Sequence, residues 1–231
     1  MKYFLIAVFA SLGFVFAADS EKEKIVLFDG ENLDAWDYPE GSWEIAEDGS
    51  LTCNMQEVTT KSGETKIRGM GDIWTKKEYG DFELTLSYKL SQGANSGVFY
   101  RADKDDHVQR GFEVQLMDNE GFQKTHGEKE PRKLNGSFYD AKAPSAYPAN
   151  PVGEWDTLTL KCVGPRITCA INGVETFDVD VNDWPEVGEN PDGTSNKFKV
   201  AIKDKPQRGY IGLQNHGQYV WFKDVAIRPL D

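Results

Sequence analysis

Two neighbouring stretches decide how the chain is read: ANSGVFYR, from Ala94 to Arg101, and GFEVQLMD, from Gly111 to Asp118. The second alternates with the period of two that belongs to a strand. Phe112, Val114 and Leu116 fall on one face, Glu113 and Gln115 on the other. In the first, Ser96, Val98 and Tyr100 point one way, and Asn95, Gly97, Phe99 and Arg101 the other. A third stretch, GYIGLQNHG from Gly209 to Gly217, sets Gln214 and His216 against Ile211 and Leu213. Each pairs an apolar face with a face of amide, carboxylate, guanidinium or imidazole groups. On adjacent strands such groups make a hydrogen-bonding floor for a polar ligand. The plainer reading is a half-exposed sheet whose outer residues only pair across strands. Alternation alone does not separate the two.

Outward from these stretches the chain reads as more strands. DFELTLSYKL sends Phe82, Leu84, Leu86 and Tyr88 inward and Glu83, Thr85, Ser87 and Lys89 outward. SWEIAEDGSLTCN is a hairpin turning at Asp48-Gly49. GDIWTK is a strand. EWDTLTLKC and RITCAINGVETFDVD form an antiparallel pair, and Asn172-Gly173 turns into a further strand. GYIGLQ and YVWFKDVAIRPL close the chain. Thr59 to Met70, Asn119 to Asn150 and Asn182 to Asn196 lack a period and read as loops. The second of these carries His126, Lys133 and Tyr139, and a connection that long suggests function or mobility. No segment keeps a helical period. Short strands, many turn residues and 12% aromatics indicate an all-β sandwich or jelly roll. Residues 25–231 read as one domain, without repeats or a second domain.

The N-terminus, MKYFLIAVFASLGFVFAAD, has a Lys2 n-region, an apolar run and a small-residue cleavage site. Residues 1–18 are expected to be a cleaved signal peptide and 19–24 a charged connector. A mature chain released to the periplasm or outside the cell follows, with no membrane association after cleavage. The net charge of −12 argues against nucleic-acid binding, which needs a basic footprint. Cys53 reads as a small buried hydrophobe. Cys162 and Cys169 flank a hairpin tip. A tip at Pro165-Arg166 puts them opposite each other and permits a disulfide; a tip at Gly164-Pro165 moves the register by two and separates them.

Taken in order, LFDGENLDAW, YGDFEL, ANSGVFYR, GFEVQLMD, GEWDTL, INGV and GYIGLQNHGQYVWFKDV resemble the pattern of the bacterial 3-keto-disaccharide hydrolase domain family. The resemblance runs from Ile25 to Asp231. It implies a concanavalin A-like lectin/glucanase jelly roll and a small carbohydrate substrate. The implied activity is cleavage of 3-keto-glycosides, by hydrolysis or by 1,2-elimination with hydration of the product. An upstream sugar 3-oxidoreductase is then implied as well. A C3 ketone acidifies the hydrogen on C2, so the site needs a base, a cation beside the enolate oxygen, and an acid for the leaving group.

On that reading Glu113 or His216 is the base, Arg101 stabilises the oxyanion, and Asp118 orients His216. Asn95, Gln115 and Gln214 hold hydroxyls, Lys133 belongs to a lid, and Trp184 is the stacking candidate; Trp36, Trp43 and Trp74 read as core. Glu113, Asp118 and His216 are also residue types that hold a divalent metal, but their spacing is not diagnostic. Each residue has a plainer reading. Arg101–Glu113 is then a cross-strand ion pair, Asp118 and His216 are turn residues, and Lys133 and His126 are solvated charge. The competing function is a non-catalytic carbohydrate-binding module on the same fold. A conventional glucanase fits less well, because the E-x-D-x-x-E triplet of laminarinase-like proteins is missing and the corresponding strand reads E-V-Q.

Overall fold

The computed structural model describes residues 22–231. The expected signal peptide and residues 19–21 of the connector lie outside the described residues. Strands are numbered in chain order, and two antiparallel sheets face each other as a jelly roll. The larger has β13 (Val174–Asp180), β12 (Arg166–Ile171), β11 (Trp155–Val163), β8 (Phe82–Leu90), β15 (Val220–Pro229), β4 (Leu51–Cys53) and β3 (Trp43–Ile45) in that order. β1 (Ile25–Phe28) also pairs with β15. The smaller runs β10 (Phe112–Met117), β9 (Asn95–Ala102), β14 (Tyr210–Leu213), β7 (Ile73–Thr75) and β2 (Trp36–Asp37).

Alternation decides which residues meet between the sheets. β8 supplies Phe82, Leu84, Leu86 and Tyr88, and β11 supplies Leu158, Leu160 and Cys162. From the smaller sheet come Val98, Tyr100, Phe112, Val114, Leu116, Ile211 and Leu213, all in one buried cluster. A second, separate cluster joins Trp74, Phe99 and Ala102, with Tyr210 packed on it. It marks the opposite face of the smaller sheet, the face that carries Glu113 and Gln115.

β9 keeps its alternation only as far as Tyr100. Phe99 pairs with Gly212 but Ala102 pairs with Tyr210, so β9 holds one more residue than β14 over this span. Arg101 takes the bulge, with φ 45°. The bulge removes Arg101 from the outer face, where strict alternation places it. Its guanidinium is fully buried. Nε donates to the Gly80 carbonyl at 2.8 Å, Nη1 to the Gly164 carbonyl and the Gln207 side chain at 2.8 and 2.6 Å, and Nη2 to Asp81 Oδ1 at 2.8 Å. Arg101 thus ties the end of the smaller sheet to the β11–β12 turn and the start of β8.

Three further readings change. Thr59 to Met70 is not a plain loop: β5 (Met55–Thr59) pairs with β6 (Thr65–Gly69) as a separate hairpin. Both its faces are largely exposed, so no apolar alternation betrays it. The Asn119–Asn150 segment opens with a helix, α1 (Asn119–His126), whose one buried residue is Phe122; eight residues with a single anchor show no period. The β11–β12 turn lies at Gly164-Pro165, because Val163 pairs with Arg166. Cys162 therefore faces Ile167 and Cys169 faces Leu160, and both thiols are buried and free.

Replacing Arg101 by Met leaves two carbonyls and the Gln207 side chain without this donor, and Asp81 with the Gly164 N–H but no cation. Removing one member of a buried ion pair costs about 3–5 kcal/mol, and the low end is expected here because Asp81 keeps 30% of its side chain exposed. Urea denaturation is expected to show a loss of about 3 kcal/mol, with the activity of the remaining folded protein near normal. Unchanged stability with lost activity would return Arg101 to the site.

Candidate active site

The outer face of the smaller sheet is ordered in rows by its pairing. Trp74, Gly212, Phe99 and Glu113 occupy one row across β7, β14, β9 and β10. The next row brings together Gly97 and Gln115, with Gln214 joined to it by its N–H to the Gly97 carbonyl at 2.9 Å. Glycine stands where the row needs room. A Cβ on Gly97 would lie 2.4 Å from Glu113 Oε1, and one on Gly212 would lie 2.5 Å from the Trp74 ring. The glutamate therefore lies down across β9, and the indole lies down across β14.

Trp74 stacks on Phe99 at 5.4 Å between centroids, and His107 closes on Phe99 at 4.4 Å. His107 comes from the β9–β10 connection. Lys205 pins that connection: Nζ donates to the Val108 carbonyl at 3.0 Å and the Gly111 carbonyl at 2.7 Å. Lys199 N adds a bond to Gln109 Oε1 at 2.6 Å. On the other side, residues 136–139 continue the sheet beyond β10, with Gly136 N donating to the Gln115 carbonyl and Tyr139 N to the Glu113 carbonyl. The result is a narrow pocket, open to solvent on one side. His107, Glu113, Tyr139, Lys197 and Lys205 supply its polar lining, and Phe112, Phe138 and Phe198 line the rest.

The electrostatics follow from this placement. Burial pushes the Glu113 carboxyl up to about 8, with Asp72 adding to the rise and Lys197 and Lys205 opposing it. Burial brings the Lys205 ammonium down to about 7. Burial also lowers His107, against the pull of Asp72, and raises Asp72, which both His107 and His216 partly offset. Tyr139 is raised by burial and by Glu113, so its phenol stays protonated. A carboxyl near 8 is a proton acceptor matched to near-neutral pH.

The structure brings some of the residues singled out from the sequence together and disperses others. Glu113 forms the pocket floor, and Gln214 and Asn95 lie half-buried on the same face. Gln115 is almost fully buried, and its Nε2 donates to Asn95 Oδ1 at 2.5 Å and the Ser96 carbonyl at 3.0 Å; it supports the floor rather than facing a ligand. His216 is exposed in the turn after β14 and approaches the site through Asp72. Arg101 is out of the pocket for the reason given above. Asp118 caps α1, accepting from Gly121 N at 3.0 Å and Gly93 N at 2.7 Å, so it neither orients His216 nor completes a metal site. Among the described residues no group of three His, Cys, Asp or Glu is placed to hold a metal. The proposed Glu113–Asp118–His216 ligand set therefore does not fit, and no step is routed through a metal.

Lys133 pairs with Glu130 at 3.0 Å and Asp140 at 3.2 Å, where it steadies the wall instead of closing over it. His126 is exposed and packs on Phe122. Trp184 is buried, its Nε1 donating to Asn190 Oδ1 at 3.1 Å and its ring edge-on to Phe138; it is core, not a sugar platform. Trp36 and Trp43 are core as expected, whereas Trp74 belongs to the outer face. Residues that sequence reasoning passed over are Asp72, His107, Lys197 and Lys205. His107 had a signal, being one of three histidines and lying between the two floor strands. The lysines sit in an aperiodic segment and had none.

Sandwich and pocket together define a jelly-roll protein of the lectin/glucanase kind with a titratable floor. The sequence profile of the 3-keto-alpha-glucoside-1,2-lyase-like domain matches residues 23–228, and the chain belongs to that family. A 3-keto-disaccharide hydrolase of Bacteroides thetaiotaomicron is 26% identical over 90% of this chain and 78% of its own length. A Parabacteroides distasonis crystal structure, provisionally described as a glycosyl hydrolase, superposes with a TM-score of 0.77 at 29% identity, covering 90% of this chain and 100% of that one. A Bacillus subtilis protein with a galectin-like fold superposes with a TM-score of 0.51 at 12% identity, over 89% of this chain and 94% of that one; this likeness concerns the fold alone.

A raised carboxyl makes stability fall with pH. Between the unfolded value near 4.5 and the folded value of about 8, the native state holds a proton on Glu113 that the unfolded chain has released. Stability therefore declines across that window and levels off above it. Glu113→Gln is expected to melt at about the same temperature as the parent at pH 4 and clearly above it at pH 9. Equal melting temperatures at both pH values would contradict the raised carboxyl.

Proposed function

We propose that the chain is an exported carbohydrate-active enzyme that cleaves 3-keto-glycosides, by 1,2-elimination followed by hydration or by overall hydrolysis. The observation that carries this reading is the isolated Glu113 carboxyl on the pocket floor, flanked by lysines. A conventional glycosidase needs a second carboxyl to work opposite the first. Among the described residues no second carboxylate lines this pocket; Asp72 stands outside the lining and acts on Glu113 through its charge. One base in a cationic pocket suits removal of a proton next to a ketone.

Glu113 takes the hydrogen from C2, which the C3 ketone has made acidic. The electrons of that bond form C2=C3, and the carbonyl pair moves onto the C3 oxygen. When the carbonyl reforms, the electron pair shifts to C1=C2 and the aglycone leaves from C1. Water then adds to C1 and a proton to C2. Tyr139 presents a protonated hydroxyl at the rim, where a leaving oxygen needs an acid. Gln214 and Asn95 supply amides on the same face for hydroxyls of the sugar. Glu113 is preferred over His216 as base because it lines the pocket whereas His216 is exposed beyond it. The signal-like N-terminus supports export, and an oxidoreductase acting on a C3 hydroxyl is the class of reaction that would supply the substrate. The lectin-like alternative is weakened by burial of the aromatic rings: Phe112, Phe138 and Phe198 in the lining, and Trp74 and Phe99 beside it, are buried and offer little open ring for stacking.

The test compares 4-nitrophenyl glucosides of both anomers with their 3-keto counterparts, using chain lacking residues 1–18. Turnover is expected of a 3-keto substrate only. Glu113→Gln is expected to lower kcat by about 10²–10⁴-fold, the usual contribution of a general base. Turnover of the ordinary glucosides, or full activity in Glu113→Gln, would overturn the reading.

A further inference from the structure

We propose that Lys197 is the electrophilic residue of this site, its ammonium holding the oxyanion that forms at C3 as the C2 proton leaves. The inference rests on the function proposed above and deepens it. Two lysines line the pocket, Lys197 and Lys205, and a third, Lys133, acts on Lys197 and Tyr139 through its charge; of the three, two are occupied. Lys205 gives its ammonium to two backbone carbonyls and is 3% exposed. Lys133 is held between Glu130 and Asp140. Lys197 differs. Its backbone is fixed, N donating to Asp140 Oδ2 at 2.8 Å, and its neighbour Phe198 is buried. Its side chain reaches the pocket, with Nζ 4.2 Å from the centroid of the Tyr139 ring. Among the described residues it forms no ion pair within 4.0 Å. An ammonium anchored through its backbone and a ring face, yet without an acceptor of its own, is poised for an anion that comes and goes.

The charges agree with this assignment. Glu113 and Lys197 interact as opposite charges, each favouring the ionised form of the other. When the carboxylate takes the C2 proton it becomes neutral, and the negative charge passes to the C3 oxygen. Lys197 faces one anion before the step and another after it, so no charge is left alone in the pocket. A cation fixed where charge develops stabilises the transition state more than the ground state. Burial lowers the Lys197 ammonium, while Glu113 and Asp140 hold it up. More than a third of the residue remains in water, which limits the desolvation of its ammonium. The other titratable groups acting on or lining the site of the pair are Asp72, His107, Lys133, Tyr139, Asp140 and Lys205.

The test measures kcat, KM and the pH profile of Lys197→Met and Lys197→Arg on the 3-keto substrate, with circular dichroism melts as a check on folding. Lys197→Met is expected to lose about 10²–10³-fold in kcat, the range for one oxyanion donor, with KM changed far less. Its acidic limb is expected to move to higher pH, because the charge that favours ionised Glu113 is gone. Lys197→Arg is expected to keep part of the rate. Should Lys197→Met fold poorly, Lys197→Cys followed by aminoethylation with 2-bromoethylamine restores a near-lysine ammonium, and recovery of kcat is expected. A kcat within threefold of the parent and an unmoved limb in Lys197→Met would overturn the proposal while leaving Glu113 as base. An inactive parent chain on both 3-keto anomers would instead remove the function on which the proposal rests.

Discussion

Strand β9 has to serve three environments with a single alternation, and a bulge lets it do so. Val98 and Tyr100 fill the core, Gly97 and Phe99 face outward, and Arg101 turns back between the sheets. A regular strand would have left Arg101 on the outer face beside Glu113, where an ion pair would hold the carboxylate charged and weakly basic. With Arg101 withdrawn, no cation among the described residues forms an ion pair with Glu113, and burial dominates its titration. The same guanidinium closes the end of the sandwich by bonding three separate segments. The floor's chemistry and the fold's closure thus depend on one extra residue in β9.

The rest of the site is arranged around that carboxyl. Glycine at positions 97 and 212 gives the Glu113 and Trp74 side chains room to lie flat on the sheet. The β9–β10 connection and the 197–205 segment are laced together through Lys205 and Gln109, which fixes the wall bearing His107 and Lys197. Desolvation moves the acid and the nearby amines toward one another on the pH scale, the condition under which a proton transfers readily near neutrality. Neither lysine is near Glu113 in sequence; the sandwich brings them to it.

Much of the fold was legible because its strands are half-buried, and half-buried strands write their period into the chain. β8, β9, β10 and β11 all show it. The β5–β6 hairpin does not, since both its faces meet water, and α1 does not, since one buried Phe122 makes no period. The floor was legible at Glu113 and Gln214 for the same reason as the core. Arg101 was misplaced because a bulge shifts alternation without any residue signalling it. Asp118 was misplaced because a helix cap and a ligand use the same carboxylate. Trp184 was misplaced because its loop looks exposed in sequence, yet the loop folds back and buries the indole against Phe138. Lys197 and Lys205 were invisible because their role comes from tertiary packing of an aperiodic segment.

In the proposed reaction the hydrogen on C2 is removed before the glycosidic bond breaks. The most direct measurement follows that hydrogen. A 3-keto-glucoside carrying deuterium at C2 is cleaved in ordinary water, and the released sugar is analysed early, before it exchanges on its own. The product is expected to have lost its C2 deuterium in step with cleavage. Cleavage with the deuterium retained at C2 would contradict it, since the bond to the aglycone would then have broken without Glu113 acting as a base on carbon.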